Sequence, residues 1–173
     1  MTQGVGAHTK FENFKEFSAF EKCMDVNFYS QIYMCSAALD ALKKSKGQIV
    51  CVTSASAVTP VEGRSAYVAS KAAINGFLAT LRQETVPFGV SVTIACPGTF
   101  VGTNFRNNNV IQVESNEVEP EKKPGLNVTT VEAVRDNTIW AADRRLKIFF
   151  TTHMPWFGAN ISTPMPNLYD RLA

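Results

Sequence analysis

The sequence predicts an α/β fold in which a parallel sheet carries helices on both faces. Two observations carry this. Three short runs, QIVCVTS (48–54), VSVTIAC (90–96) and LKIFFTT (146–152), are apolar and largely β-branched or aromatic. They lack strict alternation, as expected of strands buried on both faces. Longer segments of helical character separate them. The 173 residues suit one domain with a sizeable core.

The elements follow in order. Ser18-Ala-Phe-Glu21 has the pattern of a capping box that opens a helix. Helical character continues to about Lys46, where Gly47 stops it. The strand 48–54 follows, then the loop ASAVTPVEGRS. A second helix spans about Ala66 to Val86 and is ended by Pro87 and Gly89. The strand 90–96 is stopped by Pro97-Gly98. Residues 99 to about 128 are polar, rich in Asn and Glu, and weakly periodic. They read as a long loop with a helical turn or two, and long loops in compact domains tend to be functional or mobile. Thr129-Thr130-Val-Glu132 opens a third helix to about Arg145, and the strand 146–152 follows. The tail 153–173 is aromatic and broken by prolines.

Composition narrows the function classes. Hydrophobic residues make up 45% and charged residues 18%, which marks a globular chain. A net charge of +2 is too small to argue for nucleic acid or an anionic membrane surface. No apolar run reaches the length of a membrane span, and MTQGVGAHTKFENF has no apolar leader core. Cys23, Cys35, Cys51 and Cys96 form no CxxC and have no His at metal-ligand spacing, so reduced core thiols and no metal site are expected. That points to a reducing compartment. The triplets Asn127-Val-Thr129 and Asn160-Ile-Ser162 pull weakly the other way.

Chemistry concentrates in SAYVASKAAINGF (65–77). Tyr67 and Lys71 are four apart, hence on one helical face about 6 Å apart along the axis. A nearby ammonium favours the phenolate over the phenol, which otherwise titrates near pH ~10. Such a Tyr can transfer protons at useful pH. Chance alone supplies roughly 0.2 such pairs in a chain of this composition, so the pair by itself reads equally as two ordinary helix residues. Position adds weight. Ser54 ends one buried strand, Pro97-Gly98 closes the next, and ligands of open α/β sheets bind outside the carboxyl ends of strands.

These residues resemble the short-chain dehydrogenases/reductases over nearly the whole chain, from Gly4 to about Thr152. Asp25-Val26-Asn27, GQIVCVTSASA, YVASKAAINGF, FGVSVTIACPG and LKIFF carry the resemblance. Asn27, Ser54, Tyr67 and Lys71 are spaced by 27, 13 and 4 residues, like the family's Asn-Ser-Tyr-Lys tetrad. MDVNFYSQIYMCSAALDALKKSKGQIV is most similar to the hydroxysteroid-dehydrogenase branch. The resemblance implies a Rossmann-type doubly wound parallel sheet and an NAD or NADP cofactor. It implies Tyr67 as general acid/base, Ser54 as the holder of the substrate oxygen, and Lys71 on the nicotinamide ribose. Asn27 would kink its helix and hold a water that links Lys71 to solvent. Pro97 and Gly98 would turn the backbone beneath the nicotinamide. The family commonly has Thr five residues after this Pro. Here Gly102 stands there and Thr103 comes one later, so Thr103 takes the cofactor-contacting role in the expectation.

The chain has no GxxxGxG phosphate seat, and GVGAH (4–8) is not one, because neither a buried strand nor an immediate helix flanks it. The expected structure is therefore the C-terminal portion of the sheet, truncated at the N-terminus, in a single partial domain over 1–173. About 90 residues of βα units would be absent. The strand 48–54 would then expose an apolar edge. Two readings follow: a fragment of an active reductase, or an inactive truncated isoform that acts as an interaction module. In the second, helices around 27–42 and 67–85 would form a homodimer or pair with a full-length relative.

The implied substrate is a hydrophobic alcohol or ketone of steroid, retinoid or other lipid character. The regions 98–128 and 153–173 would wall its crevice. Phe100, Phe105, Val110 and Ile111 fit either an apolar pocket or anchors that pin the loop to the core. Trp156 and Phe157 fit packing on the chain's own helices, a subunit partner or a membrane surface. His8 and His153 read as solvated or structural. The expected location is cytoplasmic or endoplasmic-reticulum-associated.

Overall fold

The computed structural model describes residues 1–103, 105, 109–110, 128–152, 156 and 160. Ile111, His153, Phe157 and most of the expected loop and tail lie outside them. The three expected strands form one parallel sheet. β1 (Gln48–Val52) pairs with β2 (Ser91–Cys96), which pairs with β5 (Ile148–Phe150), in the order β1-β2-β5. The register sets Cys51 beside Ile94, and Cys96 beside Phe150.

Strand alternation sorts the side chains onto two faces. Ile49, Cys51, Val92, Ile94 and Cys96 join Ile74, Leu78 and Leu81 of α3 (Ser65–Thr85), and Cys35 of α2 (Ser30–Ser45), in the main core. Phe149 points to the opposite face, where its ring centroid lies 6.1 Å from Trp140 of α4 (Val131–Asp143). Helices therefore cover both faces, as predicted. β2 is buried along its length, whereas β1 alternates between buried and partly exposed positions. β1 is thus not buried on both faces, because it stands at the border of the sheet. Its outer edge is partly covered. The Met1 ammonium donates to Val50 O at 2.8 Å, and Met1 O accepts from Val52 N at 2.9 Å.

Local details correct three expectations. The first helix, α1 (Ser18–Met24), has Phe17 at its N-cap position, and the Ser18 hydroxyl donates to Glu16 instead. Ser18 lies inside the helix, so the capping box does not form. At the end of α2 the left-handed residue is Lys46 (φ 51°), while Gly47 donates to Leu42 O. Gly47 is needed for close approach, since a Cβ there would meet Leu42 Cδ2 at 2.8 Å. The segment expected to be one long loop begins and ends as strand. β3 (Thr99–Val101) and β4 (Val128–Thr130) pair in parallel, Phe100 beside Thr129. Thr130 then caps α4 by accepting from Ala133 N at 3.3 Å. All four cysteines are buried and free.

Candidate active site

Helix α3 carries Tyr67 and Lys71 on its inward face. Both are buried, with 6% and 4% of their surface exposed, and Lys71 Nζ lies 5.8 Å from the Tyr67 ring centroid. Ser54 follows the carboxyl end of β1 in extended backbone. Its hydroxyl accepts from Ser56 N at 3.2 Å and lies 2.8 Å from the Ser56 hydroxyl. A two-residue turn thereby fixes Ser54 against the N-terminal part of α3.

Asn27 sits in a π-helical turn, Asp25–Tyr29, between α1 and α2. Such turns interrupt the regular ladder and are common at functional sites. The Asn27 side chain is fully buried and makes three bonds. Nδ2 donates to Val5 O and to the Ser70 hydroxyl, and Oδ1 accepts from Val5 N, all at 2.9 Å. Ser70 in turn donates to Tyr67 O at 2.8 Å. Asn27 thus ties the N-terminal segment, the kinked helix and α3 together. A Cβ on Gly4 would stand 3.2 Å from both Asn27 Oδ1 and Lys71 Nζ. Gly4 therefore lets the N-terminal backbone lie close against Asn27 and the Lys71 ammonium, with the Phe105 ring on the same spot.

Electrostatics differ from the sequence expectation. Burial pushes the Tyr67 phenol up, opposed by the Ser54 hydroxyl facing it and by the Arg64 charge. Lys71 is not the cation that lowers it here. Burial pushes Lys71 itself down, opposed by the thiols of Cys51, Cys23 and Cys96. Among the described residues no carboxylate pairs with Lys71. An unpaired, desolvated ammonium costs stability, and such groups mark functional sites more often than structural ones.

The strand ends complete the site. Pro97 O accepts from Ala55 N at 2.9 Å, and Gly98 N donates to the Thr151 hydroxyl at 3.3 Å. This turn is held between the ends of β1 and β5. Thr103 is not brought into the cluster by its hydrogen bonding. Its hydroxyl is exposed and accepts from Phe105 N at 3.4 Å. Gly102 explains the shifted threonine: φ is +94°, and a Cβ would stand 3.2 Å from Val131 Cγ1. Phe105 packs on Tyr67 at 5.7 Å between ring centroids, so among the described apolar candidates it is the one placed against the Tyr67–Lys71 pair. Phe100 lies in β3. Val110 is exposed, while its N–H donates to Gly6 O at 2.8 Å. Sequence reasoning missed Ser70, Gly4 and Arg64. Ser70 was findable, since it lies three residues after Tyr67 on the same helical face.

A parallel sheet with the candidate site residues gathered beside its carboxyl ends is the arrangement of nucleotide-binding α/β folds. Residues 1–113 match the family model for short chain dehydrogenase, and the chain belongs to that family. It is 42% identical over 102 residues to 11-beta-hydroxysteroid dehydrogenase-like 2 of Arabidopsis thaliana, covering 59% of this chain and 32% of that protein. It is 29% identical over 161 residues to 11-beta-hydroxysteroid dehydrogenase A of Sesamum indicum, covering 89% and 44%. Estradiol 17-beta-dehydrogenase 2 of Mus musculus is 42% identical over 83 residues, covering 48% and 22%. A crystal structure of a short chain dehydrogenase from Burkholderia cenocepacia in complex with NADP superposes with a TM-score of 0.80 at 22% identity. That superposition covers 98% of this chain and 65% of the other. The chain spans less than half the length of these curated relatives.

Proposed function

We propose that this chain carries the catalytic centre of an NAD(P)-dependent oxidoreductase that interconverts an alcohol and a ketone or aldehyde on a steroid- or lipid-like substrate. The supporting observation is the buried Tyr67–Lys71 pair beside Ser54, with an ammonium that meets no carboxylate among the described residues. Such an ammonium suits the nicotinamide-ribose end of a dinucleotide, whose hydroxyls can accept from Lys71 Nζ. When bound, the dinucleotide supplies or takes up the hydride. The residues do the rest. Ser54 holds the substrate oxygen by a hydrogen bond, and Tyr67 passes the proton to or from that oxygen. The raised phenol keeps Tyr67 protonated at neutral pH, ready to act as the acid in carbonyl reduction. Asn27 holds the backbone of Val5 and, through Ser70, the Tyr67 turn of α3. Pro97 and Gly98 form the floor beside Ser54, and Phe105 offers an apolar wall over Tyr67 that suits a lipid-like substrate.

In this reading the adenine and pyrophosphate seat lies outside these 173 residues, and the chain is a fragment of the complete enzyme. GVGAH leads into a 3-10 turn, Phe11–Asn13, and not into a helix N-terminus that could face phosphates. The test is turnover of steroid ketones and retinals with NADPH and NADH, followed by nicotinamide absorbance. Activity in the native chain that Tyr67→Phe removes supports the assignment. Equal activity in both refutes it.

Exposed Tyr29, Tyr33 and Met34 on and beside α2 favour a second reading, an inactive module that homodimerises or pairs with a full-length relative. A folded, turnover-free chain that sediments as a dimer, and as a monomer in Tyr33→Ser, would establish it.

A further inference from the structure

The amino-terminal end of the sheet, opposite the candidate active site, gathers cations from three parts of the chain. Lys43, Lys44 and Lys46 end α2, Arg82 lies in the last turn of α3, and Arg144, Arg145 and Lys147 join α4 to β5. They form one surface. Arg82 donates to Val92 O at 2.6 Å and Arg145 O at 3.1 Å, and Arg145 donates to Gly89 O at 3.0 Å and Lys46 O at 3.2 Å. These guanidinium bonds all go to backbone carbonyls, so both charges remain unneutralised. Among the described residues none of the seven cations is ion-paired with a carboxylate. The same stretches hold Asp40, Glu84 and Asp143. This end therefore carries a local excess of positive charge on a chain whose net charge is only +2.

Apolar side chains stand among these cations. Val86 and Phe88 are 60% and 47% exposed in the turn after α3, and Trp140 is 45% exposed near the end of α4. Lys43 Nζ lies 4.4 Å over the Phe88 ring, and the Arg144 guanidinium lies 4.4 Å over Trp140. We propose that this end of the sheet docks on an anionic lipid bilayer, with Phe88, Val86 and Trp140 entering the headgroup boundary while the lysines and arginines face lipid phosphates. Long cationic side chains over aromatic rings suit a bilayer interface, where one end of each group is apolar and the other wet. A polynucleotide would use the charge but gives Val86 no counterpart, so the aliphatic and aromatic exposure favours lipid. Docking this way leaves the carboxyl ends of the strands, with Ser54, Tyr67 and Lys71, turned away from the surface.

The test is flotation of the 173-residue chain with vesicles of phosphatidylcholine, with and without phosphatidylserine. Binding is expected only with phosphatidylserine, weakening steeply with added salt. The variant Lys43→Gln/Lys44→Gln/Lys147→Gln should lose roughly a hundredfold in partitioning, at about fivefold per cation near an anionic surface. The control Lys10→Gln/Lys15→Gln/Lys22→Gln, of equal net charge, should bind like the parent. Phe88→Ser should weaken binding at every salt concentration. Circular dichroism checks each fold, and Lys44→Gln/Lys147→Gln, which alters only exposed ammonium groups, is the second variant. Equal binding to neutral vesicles, no effect of the lysine variants, or preference for tRNA over vesicles would overturn the proposal. So would a dimer that Phe88→Ser dissolves, which would make this face a contact between copies.

Discussion

Replacing Lys71 with methionine is expected to stabilise the fold while removing the proposed dinucleotide binding. Lys71 is 4% exposed, near the thiols of Cys23, Cys51 and Cys96, and no carboxylate among the described residues pairs with it. Methionine keeps most of the stem and its packing but carries no charge to desolvate. Even a paired buried charge, exchanged together with its partner for hydrophobic groups of similar volume, leaves stability unchanged or raises it by about 1–4 kcal/mol, and an ammonium without a carboxylate partner has less attraction to lose. In a chain of this size, that gain corresponds to roughly 2–4 °C in Tm per kcal/mol. The pH dependence supplies a sharper signature. Burial holds the folded-state pKa of Lys71 below its ordinary value of 10.5. Between those two values the unfolded chain binds the extra proton, so native stability rises with pH through this window. The Lys71→Met advantage should therefore be full below the folded-state pKa of Lys71 and shrink as pH rises from there towards 10.5. Urea unfolding followed by circular dichroism at a series of pH values measures both effects. A loss of stability in Lys71→Met, or an advantage independent of pH, would refute the picture of an unpaired buried ammonium.

Asn27→Ala strips partners from Val5 N, Val5 O and Ser70, and is expected to cost about 2–4 kcal/mol in urea unfolding. Gly102→Ala places a Cβ at φ +94° against Val131 and should cost about 1–2 kcal/mol by the same measurement. Burial pushes the Cys51 thiol from 9.0 up to about 11, so the folded state keeps a proton that the unfolded chain has lost. Stability should fall between pH 9 and 11 by a few kcal/mol at most from this group, on the order of 1.4 kcal/mol for each pH unit by which the thiol is raised, and Cys51→Ala should show a correspondingly shallower fall.

The apolar runs at 48–54, 90–96 and 146–152 were legible as strands because burial in a parallel sheet leaves little room for polar residues. The proximity of Ser54, Tyr67 and Lys71 was legible because they lie close in sequence and their placement follows from one strand end and one helix face. Asn27 was legible as a position but not as a hub, since its partners Val5 and Ser70 are 22 and 43 residues away. The β3–β4 pair was hidden for a similar reason. Three-residue strands have too few positions to show alternation, and this pair forms only when Thr99 and Val128 meet. The direction of the Tyr67 shift was misread because sequence shows the neighbouring lysine but not the burial that outweighs it. Ser18 illustrates the opposite failure: a correct local pattern was overridden when the helix began one residue early.

The central claim is that Lys71 receives the ribose of a nicotinamide dinucleotide. Calorimetric titration of NADPH and NADH into the folded 173-residue chain tests it most directly, with nicotinamide fluorescence as a second readout. The account predicts saturable binding that Lys71→Ala abolishes while the fold is retained. A folded native chain that binds neither dinucleotide, or binds one equally well after Lys71→Ala, would contradict it.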